Sequence, residues 1–415
     1  MIRRSKRKGK TLNNLNGAMQ QAIGEIQRWP EKMIQIFHHN DSDGLSSGAI
    51  LTRAFERQGF RVNRFCLEKP YPAVLRQVYE QEGSIIVFAD FAGRIAPLLS
   101  ELNKGRNLTL ILDHHVAEPS TDPRVYNLDP DLFGLKGDRD ISGSTTCYLF
   151  ALALDPDNRD LAHIASIGAV GDGFFVEGRL VSKNREATLE AVKQGLVEIK
   201  EVAQGEQYLL STSKGQVNCV EVGDYLDLLG GVGYYQNGPE MGVNVCLNGF
   251  STDSDVLVDK LKEIREKIFN DEIDRLKSGE LNEAPHIQWF NVQKRFFPMG
   301  VKMIGAFCDA IKDTDLINPH KYIAGFQVIP DEIPGFGKIS FNEVKVSMRV
   351  SPYLETEIRA QRAMGLNILL PEATTKLGGF SDACHSLTAA TTVAIGKEEQ
   401  LIVELEHIIE RVSNG

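Results

Sequence analysis

The stretch Ile34–Ser47, IQIFHHNDSDGLSS, decides how the chain is read. Met33–Phe37 is an apolar run of the kind that forms a buried strand. It leads into His39, Asp41 and Asp43, and then Gly44. Residues two apart on a strand share a face, so these polar side chains point the same way while the chain stays extended. Gly44 permits a sharp turn, and Leu45–Arg57 then reads as a helix. Two carboxylates and an imidazole on one side of a strand end repel one another unless a cation sits between them. An aspartate ahead of a helix is also a good N-cap. Taken alone, the stretch fits a capped turn as well as a metal site.

Outward from it, strand and helix alternate from Met33 to about Leu180. The predicted strands are Met33–His38, Arg61–Cys66, Ser84–Ala89, Leu108–Leu112 and Arg124–Asn127. The predicted helices are Leu45–Arg57, Ala73–Glu82, Ile95–Lys104, Ser144–Leu154 and Arg159–Val170. Short apolar strands alternating with helices indicate an α/β domain, a mostly parallel sheet with helices on both faces. Ligands bind such sheets beyond the carboxyl ends of the strands. Asp90 follows Ile85–Ala89, Asp113-His114-His115 follows Leu108–Leu112, and Asp172 in GAVGDGFF lies just past a helix. Each has an ordinary explanation as a cap, a turn aspartate or a packed histidine. Their recurrence at separate strand ends of one sheet brings them to one crevice.

The chain has 415 residues, which calls for two or three domains. Its 42% hydrophobic and 25% charged content is that of a soluble globular protein. A net charge of -10 excludes a global positive field, so any nucleic acid must be held by a local patch or through metal ions. The cysteines Cys66, Cys147, Cys219, Cys246, Cys308 and Cys384 are scattered without a CxxC, which suits a reducing, cytoplasmic setting rather than a disulfide framework or zinc ribbon. No apolar run reaches membrane-spanning length. Arg3, Arg4, Lys6, Arg7, Lys8 and Lys10 form a basic tail, either solubilising or touching phosphates, and Asn14–Trp29 reads as an amphipathic helix closed by Pro30.

The motifs HNDSDG, FAD, LDHH and GAVGDG, in that order, resemble those of the DHH phosphoesterase superfamily. That group holds RecJ-like nucleases, oligoribonucleases, cyclic-dinucleotide phosphodiesterases and family II pyrophosphatases. The resemblance is nearest to the archaeal-type RecJ-like branch. It implies a site for two divalent cations with His39, Asp41, Asp43, Asp90, His114 and Asp172 as ligands, Asp90 and Asp172 placed to serve both. It gives Asp113 the task of orienting a histidine and turns His115 to the substrate phosphate. Carboxylates with imidazole and no thiolate suit Mn²⁺ or Mg²⁺, and histidine favours Mn²⁺. Such a pair generates hydroxide for in-line attack on phosphorus, and cationic donors are then needed on the far side.

Those donors are expected in a second, smaller α/β domain across a cleft. Within positions 181–299, Glu186–Ala203 reads as a helix, Asp224–Gly242 as a glycine-rich loop and Ser254–Gly279 as a connecting amphipathic helix. The whole stretch is expected to be a helical insertion between a basic tail and helix (1–30), a metal-binding domain (31–180) and a substrate-binding domain (300–415). His286–Phe297 reads as a half-buried strand or a base-stacking platform. Val344–Ser351 resembles the strand of the DHH-associated domain that carries Ser-x-Arg, here Ser347 and Arg349. Gly378, Gly379, His385, Ala389 and Ala390 match that domain's glycine-rich closing segment. The chain departs from the pattern at Ser381, Asp382, Ala383 and Cys384, where the family has glycines, and at Thr391. Bulkier residues there hinder backbone approach to a phosphate. The implied groups are Asp113, His115, Arg349 and His385 for catalysis, and His115, Ser347, Arg349, Gly378, Gly379 and His385 for substrate.

Three functions compete on this basis. The first is an Mn²⁺-dependent RecJ-like exonuclease that degrades single-stranded or short oligonucleotides to mononucleotides. The second is a hydrolase of cyclic dinucleotides or another small phosphoester or pyrophosphate. The third is a catalytically weakened scaffold in a replication complex. A homodimer or a replication or repair partner is compatible with each, and none needs a membrane.

Overall fold

The computed structural model describes residues 2–213 and 215–413. The side chains at positions 2–13, 382, 383, 412 and 413 lie outside the described residues. The side chains of the basic tail from Arg3 to Lys10 and those of Asp382 and Ala383 therefore fall outside them too. The chain divides into two compact units, Met1–Asp259 and Lys260–Gly415.

The first unit opens with α1 (Ile2–Arg28), β1 (Met33–His38), α2 (Ser42–Arg57) and β2 (Arg61–Cys66). It continues through α3 (Pro72–Val78), β3 (Ile85–Ala89), α4 (Ala96–Asn103), β4 (Leu108–Leu112) and β5 (Val125–Asn127). Then come α5 (Gly143–Leu154), α6 (Ala162–Gly171) and α7 (Ser182–Lys193). The five strands form one parallel sheet in the order β2-β1-β3-β4-β5. β3 and β4 are buried along their whole length, as a sheet covered on both faces requires. β2, at the edge, keeps only intermediate and exposed positions.

The strand order places the site. β1 connects to β2 on one side and β3 lies on the other, so the crevice opens between β1 and β3 at the topological switch point. The register pairs His38 with Ala89 and Ala89 with Leu112. The residues that follow these strands, from His39, Asp90 and Asp113 onward, thus leave the sheet at one level.

Two readings from the sequence change here. The helix expected over Glu186–Ala203 ends at Lys193, and Gly195, at φ +73°, turns the chain into β6 (Val197–Val202). Val197 and Ile199 alternating with charges is a strand pattern, and β6 pairs antiparallel with β7 (Gly205–Thr212), which pairs with β8 (Gly215–Asn218). The stretch 181–299 is therefore not purely helical. The loop expected over Asp224–Gly242 is mostly helix: α8 (Cys219–Asp227), a π-helical turn at Leu228–Val232, and α9 (Gly238–Asn248). Gly223, just ahead of that stretch, and glycines within it mark close backbone approaches. A Cβ on Gly223 would lie 2.7 Å from the Gly171 Cα, and one on Gly230 would lie 1.7 Å from the Asn40 carbonyl oxygen.

The boundary between the units falls within α10 (Thr252–Arg275). The second unit contains β9 (Asn282–Glu283), β10 (Ile287–Gln293), α11 (Met303–Ile311), β11 (Tyr322–Val328) and the small hairpin β12 (Glu332–Ile333) and β13 (Gly337–Lys338). It ends with β14 (Glu343–Arg349), α12 (Pro352–Arg359), α13 (Leu366–Lys376), β15 (Phe380–Cys384), β16 (Thr388–Ala394) and α14 (Glu398–Ser413). Its mixed sheet has the order β15-β16-β14-β11-β10-β9. Ala324, Phe326, Val344, Val346 and Met348 point into a core with Leu369, Leu370 and Leu405. Alternation puts Ser347 and Arg349 on the opposite face, against α11. The half-buried strand expected at His286–Phe297 is β10, and Arg295 is engaged by Glu272 through two hydrogen bonds of 2.8 and 2.7 Å. The segment expected as a phosphate loop around Ser381 and Cys384 is instead the edge strand β15, with a register shift between those two residues.

Candidate metal centre

The carboxylates and imidazoles predicted from the four strand and helix ends meet in the first unit. His39 Nδ1 lies 2.7 Å from Asp41 Oδ2 and 3.6 Å from Asp90 Oδ2. His114 Nε2 lies 3.3 Å from Asp90 Oδ1, 3.8 Å from Asp172 Oδ2 and 3.9 Å from Asp43 Oδ2. Among the described residues three groups have metal-ligand spacing, with ligand atoms within 4.8 Å of one another: His39–Asp41–Asp90, Asp43–His114–Asp172, and Asp90–Asp113–His114–His115; the first two carry the predicted ligands. Asp90 touches both groups, one oxygen toward each. Asp90 itself sits at φ +67°, a left-handed conformation costing about 1 kcal/mol that aims its carboxylate back over the strand ends.

One local expectation fails. His39, Asp41 and Asp43 do not share a face by strand alternation. The chain leaves the extended conformation at Ser42, Asp41 caps α2 by accepting from the Gly44 N–H at 2.9 Å, and Asp43 stands in the first helical turn. The cap and the ligand reading of Asp41 are compatible, because Oδ1 serves the helix and Oδ2 faces His39. Gly44 is required, since a Cβ there would lie 2.5 Å from the His39 carbonyl oxygen.

The candidate site residues are held by backbone. Asp43 accepts from the first N–H groups of α5, Gly143 N at 2.7 Å and Ser144 N at 3.0 Å, so a helix N-terminus fixes its charge. Asp113 accepts from Gly93 N (2.8 Å) and His114 N (2.7 Å) and from the His115 Nδ1–H (2.7 Å). Glycines make the room. A Cβ on Gly143 would lie 2.3 Å from Asp90 Oδ1, and one on Gly168 would lie 2.4 Å from Asp43 Oδ1.

The histidines are oriented for the task. His114 donates through Nδ1 to the Gly137 carbonyl at 2.6 Å, which directs Nε2 at the carboxylates. Burial lowers the basicity of His114, but the contact with Asp90 and the charges of Asp90, Asp172 and Asp43 outweigh it and hold the ring well above its ordinary pKa. A proton on Nε2 thus answers the same negative charge that a cation would. Burial and then the charges of Asp90 and Asp172 push Asp43 well up. Asp172, with 37% of its side chain exposed, is raised to about 7 by desolvation and, against the His114 charge, by Asp41 and Asp90. Asp90 Oδ1 is a buried oxygen with no well-aligned hydrogen-bond donor among the described residues. Oxygen and nitrogen donors at this spacing, with such a carboxylate oxygen among them, fit a pair of divalent cations. Neighbouring His38 is buried and faces elsewhere, donating through Nδ1 to the His39 carbonyl at 2.8 Å.

The remaining predicted residues lie in the second unit. Ser347 is buried on β14. Arg349 donates through Nε to Asp309 Oδ2 at 2.8 Å and through Nη1 to the Met348 carbonyl at 3.0 Å. The exposed His385 donates its backbone N–H to the Thr388 carbonyl at 2.7 Å, and Thr388 is the register partner of Arg349. Arg349 and His385 therefore share one end of this sheet. Gly378, at φ +70°, follows α13, and a Cβ on Gly379 would lie 2.2 Å from the Thr392 carbonyl oxygen.

Sequence reasoning missed two carboxylates. Asp129 follows β5 as Asp90 follows β3, so the rule that singled out Asp90 applies to it equally. Its Oδ2 is buried without a donor and faces Asp113 across Gly93. Burial, then the Asp113 charge, raise it to about 8. Asp227 on α8 accepts from Ser42 N at 2.8 Å, and no motif marks it.

An α/β chain with an acid-and-imidazole cluster at the switch point of a parallel sheet is the class that fold and site define. Among solved structures, RecJ of Thermus thermophilus in complex with Mn²⁺ has a TM-score of 0.62 at 16% identity over 95% of this chain and 55% of that one. A DHH domain described as belonging to a family of ribosomal proteins has a TM-score of 0.62 at 14% identity, over 96% and 92%. Exonuclease RecJ bound to manganese has 0.59 at 16% identity, over 95% and 94%. The chain shares the fold of these RecJ and DHH-domain structures. Among curated proteins, an uncharacterized protein of Methanocaldococcus jannaschii is 30% identical over 146 residues, 34% of this chain and 32% of that protein. The chain thus spans about a third of the length of that relative and about half of the Thermus RecJ. No family model matches the chain.

Proposed function

We propose that the protein is a divalent-metal-dependent phosphodiesterase that releases mononucleotides from single-stranded or short oligonucleotides, with a pair of Mn²⁺ ions, or Mg²⁺, as its cofactor. The observation that carries this is Asp90, whose two oxygens face two different groups of imidazole and carboxylate. His39, Asp41 and Asp90 would hold one ion, and Asp43, His114, Asp172 and Asp90 the other. When bound, such a pair lowers the pKa of water and neutralises charge on the phosphoryl oxygens.

The chain's own groups do the rest. His115 is turned by Asp113, which fixes the proton on Nδ1, and Nε2 would meet a phosphate oxygen. Burial and the charge of His114 lower its basicity, but Asp113 more than offsets them, so the ring is raised and carries a proton that a developing oxyanion can use. Arg349 and His385, with Ser347 and the Gly378-Gly379 turn, would grip the substrate's phosphate or terminal nucleotide. The Asp309 carboxylate on Arg349 is 41% exposed, and a phosphate can take its place. Cysteine usage supports a cytoplasmic setting, and among the described residues no helix is long and apolar enough to cross a membrane.

The test is hydrolysis of a 5′-labelled dinucleotide, single-stranded DNA and RNA, a cyclic dinucleotide and pyrophosphate, each with Mn²⁺ and with EDTA. Chelator-sensitive release of mononucleotides from the linear strands is the expected result. Turnover of only the cyclic or pyrophosphate substrate would replace the nuclease reading. Absence of all turnover from folded, metal-loaded protein would leave a scaffold role.

A further inference from the structure

The metal-binding stretch Asn40–Asp43 is gripped from outside the four motifs, by the helical segment 219–248. Ser42 stands between the candidate ligands Asp41 and Asp43, at the first position of α2, where a helix has no internal acceptor for the backbone N–H. Asp227 supplies that acceptor at 2.8 Å, from 185 residues further along the chain. Three residues on, within the π-helical turn, the Gly230 carbonyl accepts from the buried Asn40 Nδ2 at 3.1 Å. Tyr234 donates to the Cys66 carbonyl at 2.9 Å, and the backbones of Gly171 and Gly223 touch just before Asp172. A single turn and a half of helix thereby anchors the motif-one loop, while its own helix abuts the end of α6. A further carboxylate beside Asp41 and Asp43 adds to their mutual repulsion, so its benefit must lie in position.

We infer that Asp227 is a positioning residue for divalent-cation binding: by accepting the Ser42 N–H it sets the relative placement of the Asp41 and Asp43 carboxylates. This rests on the metal-centre reading above. Positioning partners of this kind are worth about 10–100-fold in metal affinity.

The test measures Mn²⁺ affinity of the full chain by the free-Mn²⁺ electron paramagnetic resonance signal, with circular dichroism to confirm folding. D227A is expected to bind Mn²⁺ at least about tenfold more weakly. D227N keeps an acceptor oxygen and is expected to bind as the parent does. S42P removes the donor instead, at a helix position where proline is tolerated and after a residue whose ψ of -178° suits a proline. S42P should weaken binding as D227A does, and the double variant should be no weaker than either single one. Parent-like affinity in folded D227A or S42P, or additive losses in the double variant, would overturn the inference. If D227A does not fold, the comparison of S42P with D227N decides on its own. A parent chain that binds no Mn²⁺ would instead sink the metal-centre reading, which keeps the two failures distinct.

Discussion

The two units hold their polar residues in opposite ways. In the first, the cluster is pinned by the protein itself: Asp43 by two N–H groups of α5, Asp113 by two backbone N–H groups, His114 by the Gly137 carbonyl. In the second, Arg349 is tied by one partly exposed carboxylate and by the Met348 carbonyl beside it, and His385 is exposed on a turn beside an edge strand. A metal site gains from rigidity, because misplaced carboxylates bind cations poorly. A substrate grip gains from partners that can be exchanged. On the proposed function, the contrast suits chemistry in the first unit and recognition in the second.

The largest blow to that contrast should come from Asp90. Asp90→Asn is expected to lower Mn²⁺-dependent turnover of a labelled oligonucleotide by on the order of 10³-fold or more, since one change weakens both ion positions. Retention of more than a tenth of the activity would show that Asp90 does not join the two groups. Gly143→Ala comes next. Its methyl would lie 2.3 Å from Asp90 Oδ1 and force that carboxylate aside, so Mn²⁺ affinity should fall about 10–100-fold, read by titration, while the helix itself tolerates alanine. An unchanged affinity would mean that the carboxylate is not pinned.

The third expectation concerns pH without metal. Asp43, Asp172 and Asp129 have folded pKa values raised above those of the unfolded chain, and so do His114 and His115. Each contributes stability at low pH that is lost as pH rises through its folded pKa. In EDTA the melting temperature should fall as pH rises from about 6 to about 8 and level off beyond, the upper limit set by Asp172 near 7 and Asp129 near 8. Saturating Mn²⁺ should flatten most of the slope, and Asp129→Asn should flatten what remains. A melting temperature that rises over the window would contradict the geometry. The smallest effect belongs to the second unit. Arg349→Gln should raise KM about tenfold with Mn²⁺ affinity unchanged, and Asp309→Asn should alter KM less than about threefold. A change in Mn²⁺ affinity in either variant would erase the division of labour.

The parallel sheet was legible because its strands are short, apolar and separated by amphipathic helices, and β1, β2 and β4 fall on their expected bounds. The acid and imidazole residues were legible because strand ends are where such a sheet exposes polar groups. Three things were not. Glycines at 223, 230 and 238 look like loop residues in one dimension, and only the packed helices show that they are contact points. Asp227 carries no local signal, since its partner is the backbone of Ser42. The place of Asp43 depended on α2 starting at Ser42 rather than at Leu45, a difference of one turn that changes which side of the chain brings the carboxylate in.

The hydrogen bond between Ser42 and Asp227 also has a temporal meaning. On the ribosome, a growing chain possesses all six candidate ligands once Asp172 has been added. The acceptor that steadies the first of their loops does not exist until α8 has been made and has cleared the exit tunnel. Until then the candidate ligands exist without that acceptor, and a nascent chain that stalls between these points should hold an ion no better than D227A does.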